Sequence, residues 1–135
     1  GKGLFAFSRG FRIGIDIEKI REDLDVLELA DHVFSLKEKM ELQSIRVQDR
    51  LKAFYRGWTS KEALLKGLGW GFTRHSDWFD VSLSFSSPLR ILEIRNPLIS
   101  PEAWSLEELP AGSNFAAALA VERRDYSLFT FRFSG

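Results

Sequence analysis

With 135 residues, 44% of them hydrophobic, twelve Phe and four Trp, the chain is long enough to bury the core of one domain. Its 19 basic and 19 acidic residues cancel, so overall charge steers it neither to nucleic acid nor to an anionic membrane. It has no Cys, and its only histidines are His32 and His75, which excludes disulfide scaffolds, thiolate metal sites, a cysteine nucleophile and a histidine-rich zinc centre.

No apolar run approaches the ~18 residues of a membrane span and no signal peptide is visible, so a single cytoplasmic domain over residues 1–135 is expected, with no membrane association. The chain opens without Met and enters a strand-like pattern at once in "GKGLFAFSRG". That abrupt entry leads to the expectation that an upstream segment has been removed.

In chain order, "LFAF" and "FRIGIDIEKI" flank "SRG", whose Gly10 can take positive φ, so residues 4 to 18 read as a hairpin. The second strand alternates: Ile13, Ile15 and Ile17 are expected to point at a core, with Gly14, Asp16 and Glu18 on the other face. From about Asp23 to Val33 the spacing is helical, with Val26, Leu29, Ala30 and Val33 on one face. Ser35 with Glu38 three later is a capping box that opens a second helix, to about Ile45. A third and longest helix runs from about Gln48 to Leu68 and is closed by the glycines of "KGLGWG". Strands are expected at "WFDVSLSF", "LRILEI", "FAAALAVE" and "SLFTFRF", with residues 97–110 as a proline-bounded connection. This order gives an α+β fold, with helices packed on one face of a mostly antiparallel sheet.

The third helix carries an acid where an apolar residue is due. At 100° steps Leu51, Tyr55, Trp58 and Leu65 form one stripe, and Glu62 falls in its middle. Lys66 lies at one border of the stripe and Lys61 at the other. A carboxylate there is costly unless a cation or donors meet it. Two structural readings stay open: Thr59 as N-cap with Glu62 completing a capping box, or Glu62 and Lys66 as an ordinary i, i+4 pair. Asp16 and Glu18 have their own structural reading, as charges protecting an edge strand from aggregation.

Taken together, a strand with two carboxylates on one face and a helix with a third on the face it turns to the sheet place three oxygen ligands together. Hard divalent cations such as Mg²⁺ use sites of this kind, and Lys61 and Lys66 beside it would face an anion carried by the metal. Three acids, a metal and two lysines describe a phosphoryl-transfer site.

"GIDIE" followed some forty residues later by "WTSKEALLKGLG" resembles the 4′-phosphopantetheinyl transferase superfamily. Trp58, Lys61, Glu62, Ala63, Lys66 and Gly69 occupy every fixed position of the family's second signature. Asp16-Ile17-Glu18 together with Trp58 is similar to the surfactin-type (Sfp-like) branch, so the chain looks like the C-terminal half of such an enzyme, one half of a two-lobed fold with the N-terminal lobe absent. The resemblance implies that Asp16, Glu18 and Glu62 bind Mg²⁺ and that Glu62 helps deprotonate a carrier-protein serine. It also implies that Lys61 and Lys66 contact the pyrophosphate of coenzyme A, the co-substrate, with Lys66 easing departure of 3′,5′-ADP. The partner would be an acyl or peptidyl carrier protein.

With one lobe missing, weak activity is expected, and "LFAF" and "LFTFRF" would be uncovered surfaces that favour a homo-oligomer. The competing functions are a Mg²⁺-dependent nuclease or phosphohydrolase, disfavoured by the absence of a basic aromatic groove, and a non-catalytic module that binds carrier proteins. His75 reads as a solvated loop side chain, and Arg46, Arg50, Lys52 and Arg56 read equally as charges that meet an acidic carrier protein or as a solvated helix face, with no site role assigned. Phe34, Met40 and Leu42 read as core.

Overall fold

The structure is a computed structural model that describes residues 3–69, 78–97 and 99–132. In chain order the elements are β1 (Ile13–Lys19), α1 (Val26–Val33), α2 (Leu36–Ser44), α3 (Val47–Leu68), β2 (Phe79–Val81), β3 (Ile91–Ile94), β4 (Ser105–Leu109) and β5 (Phe115–Val121). A 3-10 turn at Pro101–Ala103 precedes β4.

The helix ends follow local chemistry. Asp25 caps α1 by accepting from the Glu28 N–H, which moves its start from Asp23 to Val26. The Ser35–Glu38 capping box forms at α2 as expected. Gly69, at φ 77°, closes α3 in the left-handed conformation that an L side chain resists.

The strands depart further from expectation. Strands β1, β5 and β4 form one antiparallel sheet in that order, and β2 pairs with β3 in a separate small sheet. The hairpin expected over residues 4–18 does not form: 4–8 belong to no strand, and β1 pairs with β5 along its whole length, Ile13 opposite Val121 and Glu18 opposite Ala116. Residues 127–132 of the expected last strand are likewise in no strand. Phe5, Phe7, Phe129 and Phe131, which belong to these two segments, are exposed. Strand β4 lies inside the stretch expected to be a connection.

The faces of β1 are the reverse of those expected. Side chains opposite one another in a ladder share a face, so Gly14, Asp16 and Glu18 lie with Ala120, Ala118 and Ala116. Helix α3 packs on that face. A Cβ on Gly14 would stand 1.9 Å from the Ala63 carbonyl oxygen and 2.3 Å from the Gly67 nitrogen, a backbone-on-backbone approach that no branched side chain permits. The isoleucines are therefore on the opposite face, half-buried.

The core gathers around α3, which is covered on most of its circumference. Phe54, Tyr55, Ala63, Leu64 and Leu68 pack with Phe79, Val81, Leu83 and Trp104. Phe34 and Leu42 join this core, whereas Met40 is at the surface, contrary to expectation. Among the described residues no helix is long and apolar enough to cross a membrane.

Candidate active site

The contact of Gly14 with Ala63 and Gly67 brings Asp16, two residues along β1, against the last turns of α3. The Asp16 side chain is 4% exposed, and its Oδ1 accepts from Lys66 Nζ at 2.7 Å. Its other oxygen, Oδ2, is buried with no hydrogen-bond partner. An orphaned buried carboxylate oxygen is costly, and it is one a cation would satisfy.

Glu18 and Glu62 complete the group. The Glu18 carboxyl is pushed up to about 7, first by burial and then by Asp16, with Glu62 adding to the shift and Lys66 opposing it. Glu62, half-buried, is raised by burial and then by Asp16, against the pull of Lys66. Three carboxylates thus share one ammonium and repel one another, which is the electrostatic setting of a hard-cation site. Among the described residues no three acid or imidazole side chains stand at the mutual spacing that encloses a metal ion.

The two structural readings of Glu62 are corrected by this geometry. Helix α3 runs unbroken through Thr59, whose hydroxyl donates back to the Tyr55 carbonyl at 2.7 Å, so Thr59 caps nothing. The ion pair of Lys66 is with Asp16 across the helix–strand contact.

Lys61 stands in a different group. It is 2% exposed, and its ammonium donates to Glu38 Oε1 at 2.6 Å and to the Phe79 carbonyl at 2.7 Å. The expected border position on the wheel proves to be buried because α2 and β2 cover that side of the helix. Both bonds are internal, and Lys61 stands apart from Asp16, Glu18 and Glu62. Burial raises the Glu38 carboxyl and lowers the Lys61 ammonium, each against the attraction of the other. Glu38 was legible only as a capping residue. Its second role, as the counter-charge of Lys61, depends on a packing that sequence spacing does not reveal.

Other charged residues also fall out differently. Arg56 is buried, donating to the carbonyls of Ser84 and Ser87 at 2.9 and 3.2 Å, and does not belong to a solvated face. The fully buried Asp80 accepts two bonds from Arg95, at 3.0 and 2.7 Å. His75 lies outside the described residues. A cleft of about 610 Å³ between β3 and β4, lined by Arg90, Ile91, Trp104, Leu106 and Arg124 among others, holds none of the clustered carboxylates.

Residues 12–120 match the 4′-phosphopantetheinyl transferase superfamily. The 4′-phosphopantetheinyl transferase HetI of Nostoc sp. is 36% identical over 110 residues, 82% of this chain and 43% of that protein. AcpT of Salmonella typhimurium, named a 4′-phosphopantetheinyl transferase, is 41% identical over 76 residues, 56% of this chain and 37% of that protein. The chain thus spans less than half the length of these relatives. Holo-[acyl-carrier-protein] synthase of Thermotoga maritima superposes with a TM-score of 0.63 at 21% identity, covering 84% of this chain and 64% of that one. A Chronobacterium ammoniagenes structure described as an ACPS–CoA complex gives 0.62 at 16% identity, covering 87% and 100%. At these identities the likeness is one of fold.

Proposed function

Because the chain belongs to the 4′-phosphopantetheinyl transferase superfamily, we propose that it moves the phosphopantetheine arm of coenzyme A onto a serine of an acyl or peptidyl carrier protein, releasing 3′,5′-ADP. The observation that carries this reading is the buried Asp16, with one oxygen on Lys66 and the other unpartnered, set beside Glu18 and Glu62.

In the reaction the serine oxygen bonds to the β-phosphorus, and the bridging P–O bond of the pyrophosphate breaks. Glu62 takes the serine proton, a task suited to a carboxyl whose basicity burial and Asp16 have raised. Lys66, 48% exposed on its side chain, has donors to spare for the pyrophosphate oxygens while it holds Asp16. Asp16, Glu18 and Glu62 would hold Mg²⁺, and the unpartnered Asp16 oxygen fits that donor set. When bound, the ion neutralises charge on the phosphates.

The surfactin-type subdivision rests on Asp16-Ile17-Glu18 and Trp58, and the single-lobe reading belongs to the same proposal. One assay tests these readings. The chain is incubated with apo carrier protein, coenzyme A and Mg²⁺, and the carrier is weighed for the phosphopantetheine increment. Conversion that is lost in Glu62→Ala supports the transferase reading. Full turnover by the chain alone counts against its being one lobe of a two-lobed enzyme. Carrier binding without conversion points to a docking module, and phosphoester hydrolysis without carrier to a hydrolase.

A further inference from the structure

The contact between α3 and the sheet that carries Asp16 has little relief. Ala63 and Gly67 meet Gly14, and the neighbouring sheet positions on that face are Ala116, Ala118 and Ala120. A surface of glycine and alanine brings backbones close, and the large side chains on this contact, Trp104 against Gly67 and Leu106 beside Ala120, come from the β4 side and not from β1. Glu62 and Lys66 nevertheless have to face β1, and a turn of α3 about its own axis would carry both away.

Lys61 adds polar, directional bonds on the side of the helix away from β1. Its ammonium donates to Glu38 Oε1 and to the Phe79 carbonyl, and it lies 4.7 Å from the Phe79 ring centre. Glu38 Oε1 also accepts from the Ser35 N–H at 2.9 Å, and Oε2 from the Val81 N–H at 2.7 Å. Every anchor is on α2, at its cap or on β2, and none is on β1. Glu62 follows Lys61 by one helical step, about 100°, and Lys66 lies about 40° beyond Glu62.

We propose that Lys61 and Glu38 are positioning residues, a buried ion pair that sets the rotation of α3 and thereby aims Glu62 and Lys66 at Asp16. Stability alone does not account for the pair, since buried ion pairs are often replaceable by uncharged groups of similar volume at no cost. Its catalytic consequence rests on the transferase reading; its geometric consequence does not.

The test is the double variant Lys61→Met, Glu38→Gln, which keeps side-chain bulk and an acceptor at the α2 cap. Expected are a thermal midpoint within a few degrees of the parent and a crystal structure in which α3 has turned, so that the Lys66–Asp16 contact is broken. Mn²⁺ affinity by electron paramagnetic resonance and kcat are each expected to fall about tenfold, with the KM for carrier unchanged. An unturned α3, with Lys66 still on Asp16, overturns the proposal whatever the activity. A turned α3 in a protein whose parent transfers nothing upholds it while the transferase reading falls. Should the double variant not fold, Glu38→Asp, which keeps the charge but shortens its reach, is judged by the same structure and the same Mn²⁺ titration.

Discussion

Lys66 Nζ lies 2.7 Å from Asp16 Oδ1, joining α3 to β1 across fifty positions of sequence. Lys66→Met leaves the buried Asp16 with no ammonium, at an expected cost of about 1–3 kcal/mol in urea unfolding. Millimolar Mg²⁺ is expected to raise the thermal midpoint of this variant more than that of the parent, because the ion takes over the lost counter-charge. Midpoints indifferent to Mg²⁺ in both proteins would count against a cation site.

Glu18 gives the stability a pH dependence of definite sign. Its folded value of about 7 lies above its ordinary 4.5, so between those limits the folded chain holds a proton that the unfolded chain releases. The contribution is complete below about 4.5 and is lost as pH rises through 7. Glu18→Gln is therefore expected to gain thermal stability relative to the parent above pH 7 and to show no such gain near pH 4. Scanning calorimetry across that range decides it, and parallel curves would sink the assignment.

At Gly14 a methyl group has nowhere to go. Gly14→Ala places a carbon 1.9 Å from the Ala63 carbonyl oxygen, against backbone that cannot rotate aside as a side chain would. A loss of roughly 3 kcal/mol or more is expected, beyond ordinary overpacking. In whatever fraction stays folded, divalent-ion affinity should fall with it, since α3 must lift from the strand bearing Asp16 and Glu18. Calorimetric Mn²⁺ titration reads that loss, and parental affinity at unchanged stability would contradict the close packing.

Asp80 offers a test away from the carboxylate cluster. It is fully buried and held by both arms of the Arg95 guanidinium. Arg95→Ala is expected to cost about 3 kcal/mol, chiefly for the buried charge left behind. Adding Asp80→Asn to that variant should recover part of the loss in urea unfolding. No recovery would place the energy in the packing of the arginine stem instead.

The helices were legible because their signals are local. Ser35 and Glu38 cap α2 as their spacing predicts, and Gly69 ends α3 with a positive φ. The faces of β1 were not, because alternation divides a strand into two sides without saying which one a helix will cover. Here the covered side carries glycine and two acids, and close approach selects for small size rather than hydrophobicity. Lys61 escaped for a related reason: a wheel assumes a wet side, and α3 has almost none. Strand β4, "SLEEL", is hidden by adjacent glutamates that break the period-two pattern. Asp16, Glu18 and Glu62 were readable as a group because acids are conspicuous where burial makes them costly.

The pairing of β1 with β5 joins the two ends of the described chain, Ile13 lying opposite Val121. Such a contact closes a loop of roughly a hundred residues, a slow and entropically costly event. The strand carrying Asp16 and Glu18 leaves the ribosome about a hundred residues before β5, the strand it pairs with. Nascent chains that end before β5 should therefore leave β1 without its ladder partner, and the strand bearing Asp16 and Glu18 is fixed only once β5 has emerged.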